Sequence, residues 1–173
     1  MSGQDTLPVE LLGVRVELPS NTPIVLLREA SGQRRYLSIF IGAPEATAIA
    51  FALEGVDTPR PLTHDLMKDV FDTLGVQLVS VTITELRDQT YFAELELKAS
   101  RTTHRVSSRP SDAVALASRV GCPIYASAGV LDAAGYLEDD DDDDEVDGQV
   151  DPDEVVEEFR HFIDSVNPDD FGS

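Results

Sequence analysis

Two places in the sequence set the same residue types at close spacing. Arg60-Pro61-Leu62-Thr63-His64-Asp65 and Arg109-Pro110-Ser111-Asp112 each place an Arg-Pro pair ahead of an aspartate. Each opens a stretch of helical apolar spacing that closes on a glycine. Arginine opposes a helix N-terminus, because the macrodipole already puts partial positive charge there. Beside free backbone N–H groups, however, it suits an anion such as phosphate. Pairing of each arginine with its neighbouring aspartate explains the pattern equally well. His64-Asp65 offers a general base and a metal-binding carboxylate at one helix mouth. Asp112 offers a metal ligand or a cap, and Ser111 a first-turn residue with no partner base near it in sequence. Capping and dipole compensation account for all of these without function. Glu96-Leu97-Lys98 matches half of a nuclease signature, which strand alternation also explains.

The standard signatures of catalysis are otherwise missing: there is no Gly-rich phosphate loop, nucleophile elbow or paired-histidine zinc helix. Histidines stand only at 64, 104 and 161, so any bound metal is expected to take oxygen ligands, with Mg²⁺ or Mn²⁺ the expected ion. The single cysteine, Cys122, excludes an internal disulfide and points to a reducing, cytoplasmic setting. Residues 1–10 are polar and acidic, so no secretory signal is expected, and no apolar run is long enough for a membrane helix.

Helices and strands must position these residues. Apolar alternation predicts strands over 9–18, 24–29 and 34–41. A helix follows, opened by Pro44 and Glu45, with a body over 46–53 that is apolar nearly all round and Gly55 behind it. The next helix is expected to be capped by Thr63 and stapled by Leu62 and Met67, with a stripe of Leu66, Met67, Val70, Phe71 and Leu74. Strands over 77–86 and 91–98, joined by a turn at 87–90, lead to a strand over 102–107 and a helix over 110–120. A short strand at 123–126 and a turn at 130–134 complete an α+β domain with a mixed or antiparallel sheet and three main helices.

The net charge of −20 is unevenly placed. Residues 138–173 hold 17 acidic residues against Arg160, a net −16, leaving −4 for residues 1–137. The expected organisation is therefore a folded domain over 1–137, a disordered acidic linker over 138–151 and an amphipathic helix and tail over 152–173. Such a tail suits a protein partner, or imitates nucleic acid and competes for the domain's arginines. Aromatic residues such as Tyr36, Phe40, Tyr91 and Phe92 are scattered and do not interleave with basic ones.

Three stretches in order, Ile39-Phe40-Ile41-Gly42-Ala43-Pro44-Glu45-Ala46-Thr47-Ala48-Ile49-Ala50, Arg60 to Met67 and Arg109 to Ala117, resemble the bifunctional nuclease (DNase/RNase domain) family over about residues 9–136. The resemblance implies an oligomeric α+β domain, a dimer or trimer, that cleaves DNA and RNA with little base specificity. Glu45, Arg60, His64, Asp65, Arg109, Ser111 and Asp112 stand at matching motif positions. On that basis Arg60, Arg109 and Ser111 are expected to hold phosphate. Asp65 and Asp112, with Glu45, are expected to bind Mg²⁺ or Mn²⁺, and His64 to act as general base or acid. The alternative is a non-catalytic oligomeric interaction protein that binds a regulatory partner through its acidic tail and C-terminal helix, its arginines held in internal salt bridges.

Overall fold

Alternating apolar side chains draw seven strands into one mixed sheet in the computed structural model, which describes residues 5–137. The expected linker over 138–151 and amphipathic helix from 152 lie outside the described residues. The strands are β1 (Thr6–Glu17), β2 (Thr22–Glu29), β3 (Tyr36–Phe40), β4 (Val76–Arg87), β5 (Thr90–Ala99), β6 (Thr102–Ser108) and β7 (Ile124–Ser127), in the order β3-β2-β1-β7-β4-β5-β6. Every pairing is antiparallel except β4 with β7. The β4–β5 turn puts Asp88 and Gln89 at φ 48° and 60°, the left-handed pair that suits the twist of a tight hairpin.

Helices α1 (Ala43–Glu54), α2 (Thr63–Leu74) and α3 (Pro110–Val120) precede the short α4 (Ala128–Ala134). Helix α3 packs against α1, α2, β4 and β5, and every residue from Ala113 to Ala117 is buried. Three alanines in that run let neighbouring elements approach on several sides at once. Helix α1 is buried at Ala46 to Ile49 and at Phe51, as its apolar body predicts.

Helix α2 departs from expectation in two ways. Its N-cap is Leu62, not Thr63, and leucine has no side-chain acceptor; the Asp65 carboxylate instead accepts from the Leu62 backbone N–H at 2.9 Å. Arg60 and Pro61 therefore lie outside the helix, and the expected staple has no cap to anchor it. The apolar stripe also divides: Met67 and Phe71 pack on the core, while Leu66, Val70 and Leu74 are exposed. The angular step of ~100° per residue separates these two rows, which a single wide stripe conflates.

At the far end of β2, Glu29 is buried and joins Arg35 at 3.0 Å, and Arg35 continues to Asp132 on α4 at 2.6 Å. The Arg35 hydrogen bond holds the Glu29 carboxyl below its ordinary range, against the opposing pull of burial. A carboxylate with a lowered folded-state pKa contributes stability above its unfolded value of about 4.5 and loses it as the pH falls through the folded value. Glu29→Gln is expected to cost about 1–3 kcal/mol at pH 7, leaving Arg35 short of a buried partner. It should also flatten the acid side of the stability–pH curve, as urea denaturation between pH 7 and pH 3 will show.

Candidate functional site

The first turns of α1, α2 and α3 meet, and one chain of charged groups joins them. Arg109 is the N-cap of α3, with Pro110 behind it fixing the first turn. Its Nε donates to Asp112 Oδ2 at 2.7 Å and its Nη2 to Asp112 Oδ1 at 3.0 Å, a bidentate clasp within the first turn. The same Nη2 donates to Glu45 Oε1 on α1 at 2.7 Å. Asp112 Oδ1 also lies 2.9 Å from His64 Nε2 in the first turn of α2. The sequence Glu45–Arg109–Asp112–His64 thus threads the three motifs together. His64 is buried, whereas the Arg109 side chain is 65% exposed and its Nη1 makes no bond among the described residues.

The charges of this chain are strongly set. Burial pushes the Asp112 carboxyl up, but hydrogen bonds from Arg109 and His64 outweigh it and the net shift is downward. The same bonds, to Asp112 first and then Glu45, raise the Arg109 guanidinium above its ordinary value. Gly42, the N-cap of α1, makes room for this. A Cβ there would run into the Glu45 carboxylate, which folds back over the glycine.

Of the other expected site residues, Asp65 is engaged elsewhere. Its Oδ1 takes a short bond from Arg119 Nε, and its Oδ2 takes the Leu62 N–H. The Arg119 side chain is 7% exposed and runs back along α3 to donate to the Ala115 carbonyl at 3.1 Å. Arg60 is exposed and makes no ion pair among the described residues. Ser111 is buried in the first turn of α3, and its hydroxyl has no hydrogen-bond partner among the described residues.

These contacts test the fit of Mg²⁺ or Mn²⁺. A divalent cation needs carboxylate oxygens free to converge on it. Arg109 and His64 already cover Asp112, Arg109 bonds Glu45, and Arg119 bonds Asp65. Among the described residues no group of three or more His, Cys, Asp or Glu side chains is placed to hold a metal. In this arrangement the donor set does not fit the ion, because each of the expected carboxylates is already paired with arginine or histidine.

Beside Arg109 a groove of about 390 Å³ opens between the end of β3 (Ile39 to Phe40, with Ile41 and Gly42), the β4–β5 hairpin (Gln89 to Tyr91) and the start of α3 (Arg109 to Ser111). Phe40 and Tyr91, scattered in sequence, line the same space. Neither was expected at the site, nor was Arg119. The signal for Phe40 lay in strand parity: Leu37 and Ile39 are buried, which sends a large apolar residue at 40 outward, where it is 59% exposed. Nothing local marks Tyr91 or Arg119, whose roles depend on residues far away in the chain.

A family model described as the bifunctional nuclease domain matches residues 25–139, which hold every member of the cluster. An uncharacterized protein of Mycobacterium tuberculosis is 50% identical over 163 residues, 94% of this chain and 96% of that protein. Bifunctional nuclease 2 of Arabidopsis thaliana is 31% identical over 112 residues, 62% of this chain and 34% of the plant protein. Bifunctional nuclease 1 of the same plant is 30% identical over 105 residues, 59% of this chain and 32% of its own length. The match to the plant proteins therefore spans about a third of each of them.

Two substitutions separate structure from chemistry here. Asp65→Asn strands the buried Arg119; loss of one partner of a buried pair costs ~3–5 kcal/mol, reduced to about 2 because Asp65 is a third exposed. Thermal denaturation is expected to register that loss while turnover of a nucleic-acid substrate stays near wild type. Gly42→Ala suits the backbone, at φ −76°, but drives Glu45 off Arg109. Modification of Arg109 by phenylglyoxal should accelerate in that variant, because the guanidinium is 65% exposed and loses one of its two carboxylate partners.

Proposed function

This chain belongs to the bifunctional nuclease domain family, and from that premise we propose that it hydrolyses phosphodiester bonds of DNA and RNA with little base specificity. The observation that carries the reading is the Glu45–Arg109–Asp112–His64 chain at the mouth of three helices, with Arg109 lining an open groove. Arg109 keeps Nη1 without a bond among the described residues, a charged donor for a phosphate oxygen. Ser111 adds a hydroxyl and the α3 N-terminus adds free backbone N–H groups. Arg60, exposed and without an ion pair among the described residues, is a second cation for the flanking phosphate.

His64 is the proton acceptor in this reading, and Asp112 is its positioning residue. With Nε2–H donated to Asp112, Nδ1 is the basic nitrogen of the neutral ring. Water attacks phosphorus, the bond to the leaving oxygen breaks, and His64 takes the proton of the water while solvent protonates the leaving group. No step is assigned to a divalent ion, because the carboxylates expected to hold one are paired with arginines and histidine.

One observation favours the non-catalytic reading: Arg109 and Arg119 both bridge helices through carboxylates, as internal salt bridges would. A nuclease assay on purified full-length protein separates the two. His64→Ala is expected to lower kcat about 10²–10⁴-fold, the usual contribution of a general base. Arg109→Ala should weaken substrate binding and turnover together. Parallel reactions with Mg²⁺, Mn²⁺ or EDTA decide whether turnover needs a divalent ion. Equal trace activity in wild type and both variants marks a contaminant and sinks the nuclease reading.

A further inference from the structure

We propose that the groove beside Arg109 is a single-nucleotide pocket, and that the protein takes unpaired strands, ends and loops of nucleic acid rather than duplex. The choice of ligand rests on the nuclease reading, but the evidence for the pocket is separate. Its lining combines two chemistries. Arg109 presents its exposed guanidinium, and beside it Ser111 offers a hydroxyl that no described residue bonds. A phosphate or sugar oxygen seated by the guanidinium can bond that hydroxyl. The same groove is lined by Phe40, 59% exposed, and Tyr91, half-buried against the core. Aromatic rings beside a cation are what a stacked base and its phosphate need.

Size and charge narrow the occupant further. A volume of about 390 Å³ lies near the lower end of small-ligand pockets, ~300–1,000 Å³, and suits one base with its phosphate. A base in duplex must first leave its stack to enter. Duplex binding also rests on many phosphate contacts and the counterions they release. Residues 1–137, which hold the groove, carry a net −4 and offer no basic excess to a long phosphate backbone. A grip that relies on stacking, with Arg109 for the phosphate, tolerates the acidic composition.

The test is fluorescence anisotropy with full-length protein. The probes are labelled ten-nucleotide oligothymidylate and oligouridylate with phosphorothioate linkages, each compared with its ten-base-pair duplex on a complementary strand. Both single strands are expected to bind at least tenfold tighter than their duplexes. The slope of log affinity on log salt should be shallow, about −1, as expected for one or two phosphate contacts on a single strand. Phe40→Ala, at an exposed position that does not threaten folding, should weaken single-strand binding about tenfold and leave duplex binding unchanged. Tyr91→Phe should bind as wild type, and Tyr91→Ala should match Phe40→Ala. Equal or tighter duplex binding, or normal single-strand binding by Phe40→Ala, overturns the proposal. Binding is read without cleavage, so an inactive protein that still prefers single strands upholds the pocket while the nuclease reading falls. An active protein that binds and cleaves duplex equally well upholds the nuclease and removes the pocket.

Discussion

Three helices that start at one place bring three partial positive charges together, and the rest of the site follows from their neutralisation. Each first turn carries one acid: Glu45 on α1, Asp65 on α2 and Asp112 on α3. A carboxylate at a helix N-terminus is favoured by ~0.3–1 kcal/mol when exposed and by more when partly buried. Gathered in one region, the three carboxylates then need cations of their own. Arg109 answers Glu45 and Asp112, and Arg119 answers Asp65. An arginine at a helix start is therefore unfavourable toward its own helix and favourable toward the acids that the helices attract.

Solvent divides the two arginines by role. Arg119 is sealed at 7% exposure, and its pair with Asp65 locks the start of α2 across α3. Breaking such a pair leaves a buried charge, so it holds the fold and is not available to a ligand. Arg109 keeps most of its side chain in water, while its partners Glu45 and Asp112 are largely buried. The clasp engages Nε and Nη2, which fixes the orientation of the guanidinium and leaves Nη1 for a ligand.

The sheet supplies the geometry that makes this clasp border a groove. Helix α3 lies central among the helices, with alanines at 113, 115 and 117 permitting close approach to its neighbours. The end of β3 runs directly into α1, and the tip of the β4–β5 hairpin comes to the same mouth although β3 and β5 are far apart in strand order. Charge and aromatic surface meet because the sheet brings its two halves to one helix end.

Local rules were enough to read most of the architecture. Alternation located the strands and apolar spacing the helices. Glycines at 55, 75 and 121, all left-handed, ended α1, α2 and α3 as expected, because these signals depend on neighbours within a few residues. The start of α2 was misread because Asp65, three residues on, serves the cap that Thr63 was expected to supply. The motifs named Glu45, His64, Arg109, Ser111 and Asp112 and allowed the local Arg109–Asp112 pair, but not the partners far along the chain. Arg109 meets Glu45 across 64 positions and Asp65 meets Arg119 across 54, separations at which spacing carries no information. Sequence alone determined which residues carry charge and which helix ends they occupy, since propensity and capping are local. Only the tertiary structure decided which arginine is exposed, which is locked, and that Phe40 and Tyr91 share a groove, because burial and long-range pairing exist only once the sheet has closed around α3.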